Sequence, residues 1–598
     1  MLCVYLVYLA RAVQILSSEV QRMKTRSITM TFSNSCKTLL AAALTIAYGI
    51  SATLMNGSAT VNESVPAASV TPPVVENQRG EKSYIVQGLP ADALIRAIHH
   101  VGGEVSREFP IINAVSALLT SSQAQLLAQN SQIRLTDDRK VVTMGVTQQF
   151  AVDNFVATQT RAAQLHQMGL KGDGVVVAVL DSGTNMQGTK GAHLLTDSRG
   201  QQRVLAKYNA RNGQQSMPLN DDQNGHGSHV AGIIASSLNA NGKFNGIAPD
   251  VDLVSVKAFD AMGNSSYSIV LDGLNWIYNN RTIHRIKVVN LSLGAEVRSH
   301  YWEDPINQAV MKLWQAGVVV VTSAGNTGTE AMTITAPGNV PYVITVGAIT
   351  DSYTPYDYSD DRMTTFSSRG PTEDGFVKPD VVSWGGHIST KVDSLSIMQN
   401  YTKDLFGEDY QVISGTSQSA AVVAGIAALI LQNAPWLSPD DVKCSIMSSS
   451  KAASTPDGML AYSPFAQGAG LVDAYNAVLM FQRGCANSGL DINADLAGTS
   501  HYQGPTQIDE NGQFYLVSDS GAVWSEGTVW NEGTVWNEGT VWNEGTVWNE
   551  GSVWNEGTVW NEGTVWNEGT VWNEGTVWNE GSVWDEATVK KESGDTHQ

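Results

Sequence analysis

"VVVAVLDSGTN", Val175–Asn185, sets six apolar residues directly before an aspartate and a glycine turn. Apolar runs of the same strand length recur at "VDLVSV" (Val251–Val256), "KVVNLSL" (Lys287–Leu293), "VVVVTSA" (Val318–Ala324) and "YVITVGA" (Tyr342–Ala348). Helical stretches lie between them, such as "SSYSIVLDGLNWIYNN" (Ser265–Asn280) and "DPINQAVMKLWQAG" (Asp304–Gly317). Near-continuous apolar strands alternating with helices predict an α/β fold, a parallel sheet with helices on both faces. In such folds reactive groups gather where strands end and in the loops that follow. Asp181 stands at such an end, although Asp-Ser-Gly is also ordinary turn chemistry.

Two further stretches share one texture. "DDQNGHGSHVAGIIASSL" places His226 between two glycines at the start of an Ala/Gly/Ile helix. Glycine on both sides allows other backbone to approach the imidazole closely. His229, three residues on, reads as a packing or hydrogen-bonded histidine. "SGTSQSAAVVAG" (Ser414–Gly425) opens a second helix of small residues, with Ser417 near its N-terminus. There, unpaired N–H groups and the helix dipole favour developing negative charge. Taken alone, this stretch is equally a tightly packing small-residue helix.

Asp181, His226 and Ser417, in that order and within those motifs, resemble the subtilisin-like serine proteases, the subtilases. "VTSAGNTG" resembles the stretch in which that family carries its oxyanion-hole asparagine, here Asn326. "NLSLG" (Asn290–Gly294), "GIAP" (Gly246–Pro249), "FSSRGP" (Phe366–Pro371), "KPDVV" (Lys378–Val382) and "GAGLVDA" (Gly468–Ala474) add collinear matches. The resemblance implies a Ser417 nucleophile, a His226 base oriented by Asp181, and an oxyanion held by Asn326 and the Ser417 N–H. It also implies that Ser292, Leu293 and Gly294 form a substrate-pairing edge, and that Ser323, Ala324 and Gly325 wall the pocket before the cut. The chain departs from the family after the nucleophile, with Gln418, Ser419 and Ala421. The first two are expected to make the site's entrance more polar.

The remaining chain divides by composition. Residues 1–59 read as a targeting region, with "TLLAAALTIAYGI" (Thr38–Ile50) an apolar run of signal-peptide length after Lys24, Arg26 and Lys37. No run reaches the ~18–20 residues of a spanning helix, so no transmembrane anchor is expected. Residues 60–82 form a linker. Residues 83–146 alternate strand and helix as a small α+β unit, resembling by position and pattern the propeptides of subtilases. Such a unit implies an intramolecular inhibitor removed by cleavage between about Thr143 and Ala157. Residues 150–482 hold the catalytic fold and 483–522 read as a second linker. Residues 523–589 form a hexapeptide repeat and 590–598 a polar tail. In the repeat, Trp recurs every six residues from Trp524 to Trp584, eleven in all. This suits a β-solenoid-like array or an acidic flexible tail.

The formal net charge is −21, and the residues from Val523 onward hold −12 of it. No basic face invites nucleic acid. The expected substrates are proteins or peptides, the expected location outside the cell. The chemistry needs no cofactor and no metal; structural calcium is common among relatives, but no ligand loop here names itself. Cys444 and Cys485 are a possible pair in an oxidising compartment. A different functional class is a surface or binding protein whose tryptophan tail, meeting cell surface or polysaccharide, is the working part; a third is a catalytically silent fold.

Overall fold

Val176–Asp181 is buried at every position and forms the middle of a nine-stranded sheet. Asp252–Lys257 and Ile286–Leu291 flank it, both parallel to it. Val204–Asn209 and then Gln214–Gln215 continue to one edge. Val319–Ser323 and Ile344–Thr350 continue to the other, where Val381–Trp384 and Arg362–Met363 also pair with Ile344–Thr350. Only Gln214–Gln215 and Arg362–Met363, at the margins, run antiparallel. The continuous apolar runs follow from this position, because a strand covered on both faces has no side on which to keep polar residues. This is a computed structural model. It describes residues 81–143, 146–147, 155–215, 218–240, 243–392, 410–454, 460–509 and 514–517, together with the backbone of short strands between 523 and 591.

Helices cover the sheet in packed pairs. His226–Ala235 lies against Thr416–Asn433, and Tyr267–Asn280 against Pro305–Gln315. Thr416–Asn433 is buried from Thr416 through Leu431, so it runs through the core rather than over it. Its Ala, Gly and Ser residues allow that depth.

Ahead of this body, Glu81–Gln87, Glu104–Phe109, Ala114–Thr120 and Arg134–Asp137 make an antiparallel four-stranded sheet. Helices Ala91–His100 and Ser121–Ala128 pack on it, the second closed by a capping box between Thr120 and Gln123. The unit has its own small core, including Val86, Leu94, Ile98, Val115, Leu119 and Leu127. The targeting region of residues 1–59 and the linker up to residue 80 lie outside the described residues.

Residues 483–509 are more than a linker. Cys485 is bridged to Cys444 with Cα atoms 5.2 Å apart. Helix Ile492–Leu496 carries the buried Asp495, which accepts hydrogen bonds from the hydroxyls of Tyr301 (2.6 Å) and Tyr342 (3.0 Å). A polar composition hid this docking, since its partners lie more than 150 residues away. In the repeat, the paired strands from Val529 onward join in parallel with the strand eighteen residues on, as Val529–Asn531 does with Val547–Asn549. Three ladders result, and within each Trp stands opposite Trp, Trp530 to Trp548 to Trp566 to Trp584 in one of them.

Candidate active site

Asp181 closes the central strand, and the helix His226–Ala235 begins beside it. Gly225 precedes that helix at φ 105°, a left-handed conformation that glycine adopts without a Cβ penalty. Gly227 is needed for closeness: a Cβ there would stand 2.2 Å from the Gly183 carbonyl oxygen. The result brings His226 Nδ1 within 2.8 Å of Asp181 Oδ1 and 3.0 Å of Oδ2. A carboxylate only accepts, so Nδ1 carries the proton and Nε2 is left with its lone pair. Nε2 is buried and has no hydrogen-bond partner.

Asp222 organises this turn. Its Oδ1 accepts from Asn224 N (3.1 Å), Gly225 N (2.8 Å) and Ser182 Oγ (2.8 Å). Its Oδ2 accepts from Ser228 N (2.8 Å) and Ser228 Oγ (2.6 Å). A carboxylate placed against the N-terminus of a helix is favoured by the dipole and by the free N–H groups there. Sequence reasoning passed over Asp222; its position four residues before His226 was the available signal. His229 donates from Nε2 to the carbonyls of Ile388 (3.0 Å) and Gln411 (3.3 Å), and burial pushes its pKa down to about 3. It is a neutral packing histidine.

Ser417 is the second residue of its helix, so its N–H has no carbonyl one turn back. Its Oγ donates to the Ser292 carbonyl at 3.3 Å rather than to His226. Ser292 Oγ in turn donates to the Ser417 carbonyl at 2.9 Å and accepts from Asn290 Nδ2 at 2.8 Å. These bonds fix the serine to the strand edge that continues as Leu293–Gly294. Asn326 Oδ1 accepts from Thr416 N (3.0 Å) and Thr416 Oγ1 (2.9 Å), which turns its amide nitrogen away from the helix. That Nδ2 is buried and unpartnered. A buried donor with nothing to bond is costly unless something arrives to use it. Ser323 Oγ donates to the Leu293 carbonyl at 3.0 Å, joining Ser323–Gly325 to the same edge.

Strand Lys140–Thr143 runs between two edges of the large body. On one side it pairs with Asn264–Ser266, on the other with Leu293–Gly294, antiparallel to both. Thr143 stands opposite Leu293. The chain reappears as Val146–Thr147, where Val146 stands opposite Ser414, three residues before Ser417.

The sequence profile of the subtilase family matches residues 172–470. The serine protease AprX of Bacillus subtilis (strain 168) is 34% identical over 386 residues, covering 63% of this chain and 81% of that protein. The chain belongs to the subtilase family. It is a subtilisin-like serine endopeptidase. Subtilisin E of the same bacterium is 29% identical over 368 residues, covering 59% of this chain and 81% of that one. The fold is similar to the crystal structure of fervidolysin from Fervidobacterium pennivorans, at TM-score 0.53 and 21% identity over 74% of this chain and 67% of the other. Against the subtilase expectation, Gln418 and Ser419 do not line an entrance. Both are fully buried: Ser419 Oγ donates to the Ser383 carbonyl at 3.1 Å, and Gln418 Nε2 faces His229 Nδ1 at 3.5 Å. Helix side chains at these positions point back into the core. Among the described residues no group of three or more His, Cys, Asp or Glu side chains comes together as a cation site, and no calcium ligands are assigned.

Proposed function

We propose that this subtilase is an exported endopeptidase made as an inactive precursor, with Asp181, His226 and Ser417 as its catalytic residues. Ser417 Oγ turns from the Ser292 carbonyl toward His226 Nε2, gives it the proton and attacks a peptide carbonyl. Asp181 holds the imidazole and balances its charge. Asn326 Nδ2 and the Ser417 N–H receive the oxyanion. His226 then protonates the leaving amine, and water releases the acyl group.

The observation that carries this reading is the strand Lys140–Thr143, lying as a substrate would between two edges and ending opposite Leu293, next to the Ser292 whose carbonyl accepts from Ser417 Oγ. It supports residues 83–146 as a propeptide that blocks its own cleft. Register from both sides brackets three peptide bonds. With Thr143 opposite Leu293 and Val146 opposite Ser414, we take the middle of the three, Met144–Gly145, as the first bond cut; it lies outside the described residues. Export is supported by the Cys444–Cys485 bridge, which suits an oxidising compartment. Among the described residues no helix is long and apolar enough to cross a membrane.

The test is casein hydrolysis by secreted wild type and by Ser417→Ala, with N-terminal sequencing of the earliest product. The expected result is hydrolysis and a new N-terminus at Gly145 in wild type, neither in the variant. Equal hydrolysis by both would refute the assignment. A second role rests on the Trp-to-Trp register of the repeat: aligned aromatic ladders suit stacking on sugars or a cell surface. Deletion after Ser520 that keeps activity and loses surface association would support it.

A further inference from the structure

Arg139 is the residue just before the strand that enters the cleft, and it is only 9% exposed. Its Nη2 donates to Asp304 Oδ2 at 2.7 Å and to the Tyr267 hydroxyl at 2.9 Å, and its Nη1 donates to the Glu296 carbonyl at 3.0 Å. The guanidinium carbon lies 4.4 Å from the centre of the Tyr267 ring. Nε is left without a partner. The Tyr267 hydroxyl also donates to Asp304 Oδ2, at 2.8 Å. Asp304 is 2% exposed. Its other oxygen accepts from Ile306 N (2.9 Å) and Asn307 N (3.3 Å), capping helix Pro305–Gln315. The pocket groups Tyr267, Glu296 and Asp304 all belong to the catalytic body. They stay behind when the small unit leaves.

We infer that Asp304, Tyr267 and the Glu296 carbonyl form a specificity subsite for an arginine side chain six residues ahead of the bond that is cut. This rests on reading Ser417 as nucleophile and Met144–Gly145 as the first bond severed. The pocket is built for a guanidinium rather than an ammonium. A planar fork reaches the carboxylate, the hydroxyl and the carbonyl at once while stacking near an aromatic face, which a single-point lysine cannot do. Departure of Arg139 leaves the Asp304 carboxylate without its cation, so the site favours refilling by a substrate arginine. The substrate class is therefore an extended polypeptide with arginine in that place and β-branched residues between it and the residue at the cut.

The experiment uses mature enzyme and a quenched peptide with the sequence of residues 137–147, beside the same peptide carrying Arg139→Ala or Arg139→Lys. The alanine peptide should show KM raised roughly tenfold with kcat little changed, the lysine peptide an intermediate value. Enzyme carrying Asp304→Asn keeps an oxygen for the helix cap and should cleave the arginine and alanine peptides alike. Equal KM for the two peptides in wild type, a difference that persists in Asp304→Asn, or cleavage at a bond other than Met–Gly would overturn the subsite. Should Asp304→Asn fail to fold, the wild-type comparison decides alone. Absence of any Ser417-dependent cleavage would instead refute the proteolytic assignment; cleavage indifferent to arginine would remove only the subsite.

Discussion

The catalytic body and the small unit before it present β-structure to the same cleft, yet they are stabilised differently. The body buries one continuous core, from Val156 to Val478, and Ile85, Phe109, Ile111, Ala114 and Val141 of the small unit belong to the same cluster. The small unit has nine core residues of its own and meets the body through that shared apolar face and through side-chain hydrogen bonds. Among these are Arg107 to the Ala210 carbonyl (2.6 Å), Gln87 to Gln308 (2.7 Å) and the Arg139 pocket. Departure of the small unit therefore uncovers apolar surface at Ile85, Phe109, Ile111 and Ala114 as well as breaking polar contacts. Asp181, His226 and Ser417 all sit on the larger body.

The largest effect that sharpens this contrast is chemical. Asn326→Leu removes the buried donor, together with the oxygen that Thr416 bonds, and kcat on casein should fall by at least about 10²–10³ with little change in KM. That magnitude is carried over from subtilisin, itself a member of the family. An unchanged kcat would mean that Asn326 Nδ2 faces no developing charge.

Next comes a change confined to the small unit. Leu94→Ala opens a cavity among nine core residues and should destabilise that unit by about 3 kcal/mol. Hydrogen exchange should quicken across residues 81–143 and stay unchanged along Val176–Asp181. Loss of protection in both would show that the two regions unfold together.

The smallest effect probes a soft place in the body. Burial, with the charges of Asp351 and Asp360 nearby, pushes the Asp361 pKa up to about 7. The native state then holds a proton that the unfolded chain releases near pH 4, so this group lowers stability as pH rises from about 4 to 7. Asp361→Asn should therefore leave Tm unchanged at pH 4 and raise stability by about 1 kcal/mol at pH 8, a figure reduced for partial solvent access. An equal gain at both pH values would remove the carboxyl's titration as the cause.

The parallel sheet was legible in the sequence because strands buried on both faces must be apolar throughout. Asp181 and His226 were legible because a strand end and a glycine-flanked helix start are local features, and the two do meet. The role of Asp222 was not, since nothing in a carboxylate's own neighbourhood shows how many N–H groups will turn toward it. Gln418 and Ser419 misled for a related reason: polar residues on a helix read as exposed unless the whole helix is known to be buried. The Arg139–Asp304 contact joins residues 165 apart and left no local trace. Residues 483–509 docked where composition suggested only a connector.

The most direct measurement of the central claim, that Asp181 and His226 activate Ser417, is labelling of the mature enzyme with a fluorophosphonate, the modified residue located by peptide mass. One adduct on Ser417 in wild type, with labelling slowed by orders of magnitude in His226→Ala, is the expected result. An adduct on Ser414 or Ser419, or equal labelling in His226→Ala, would contradict it.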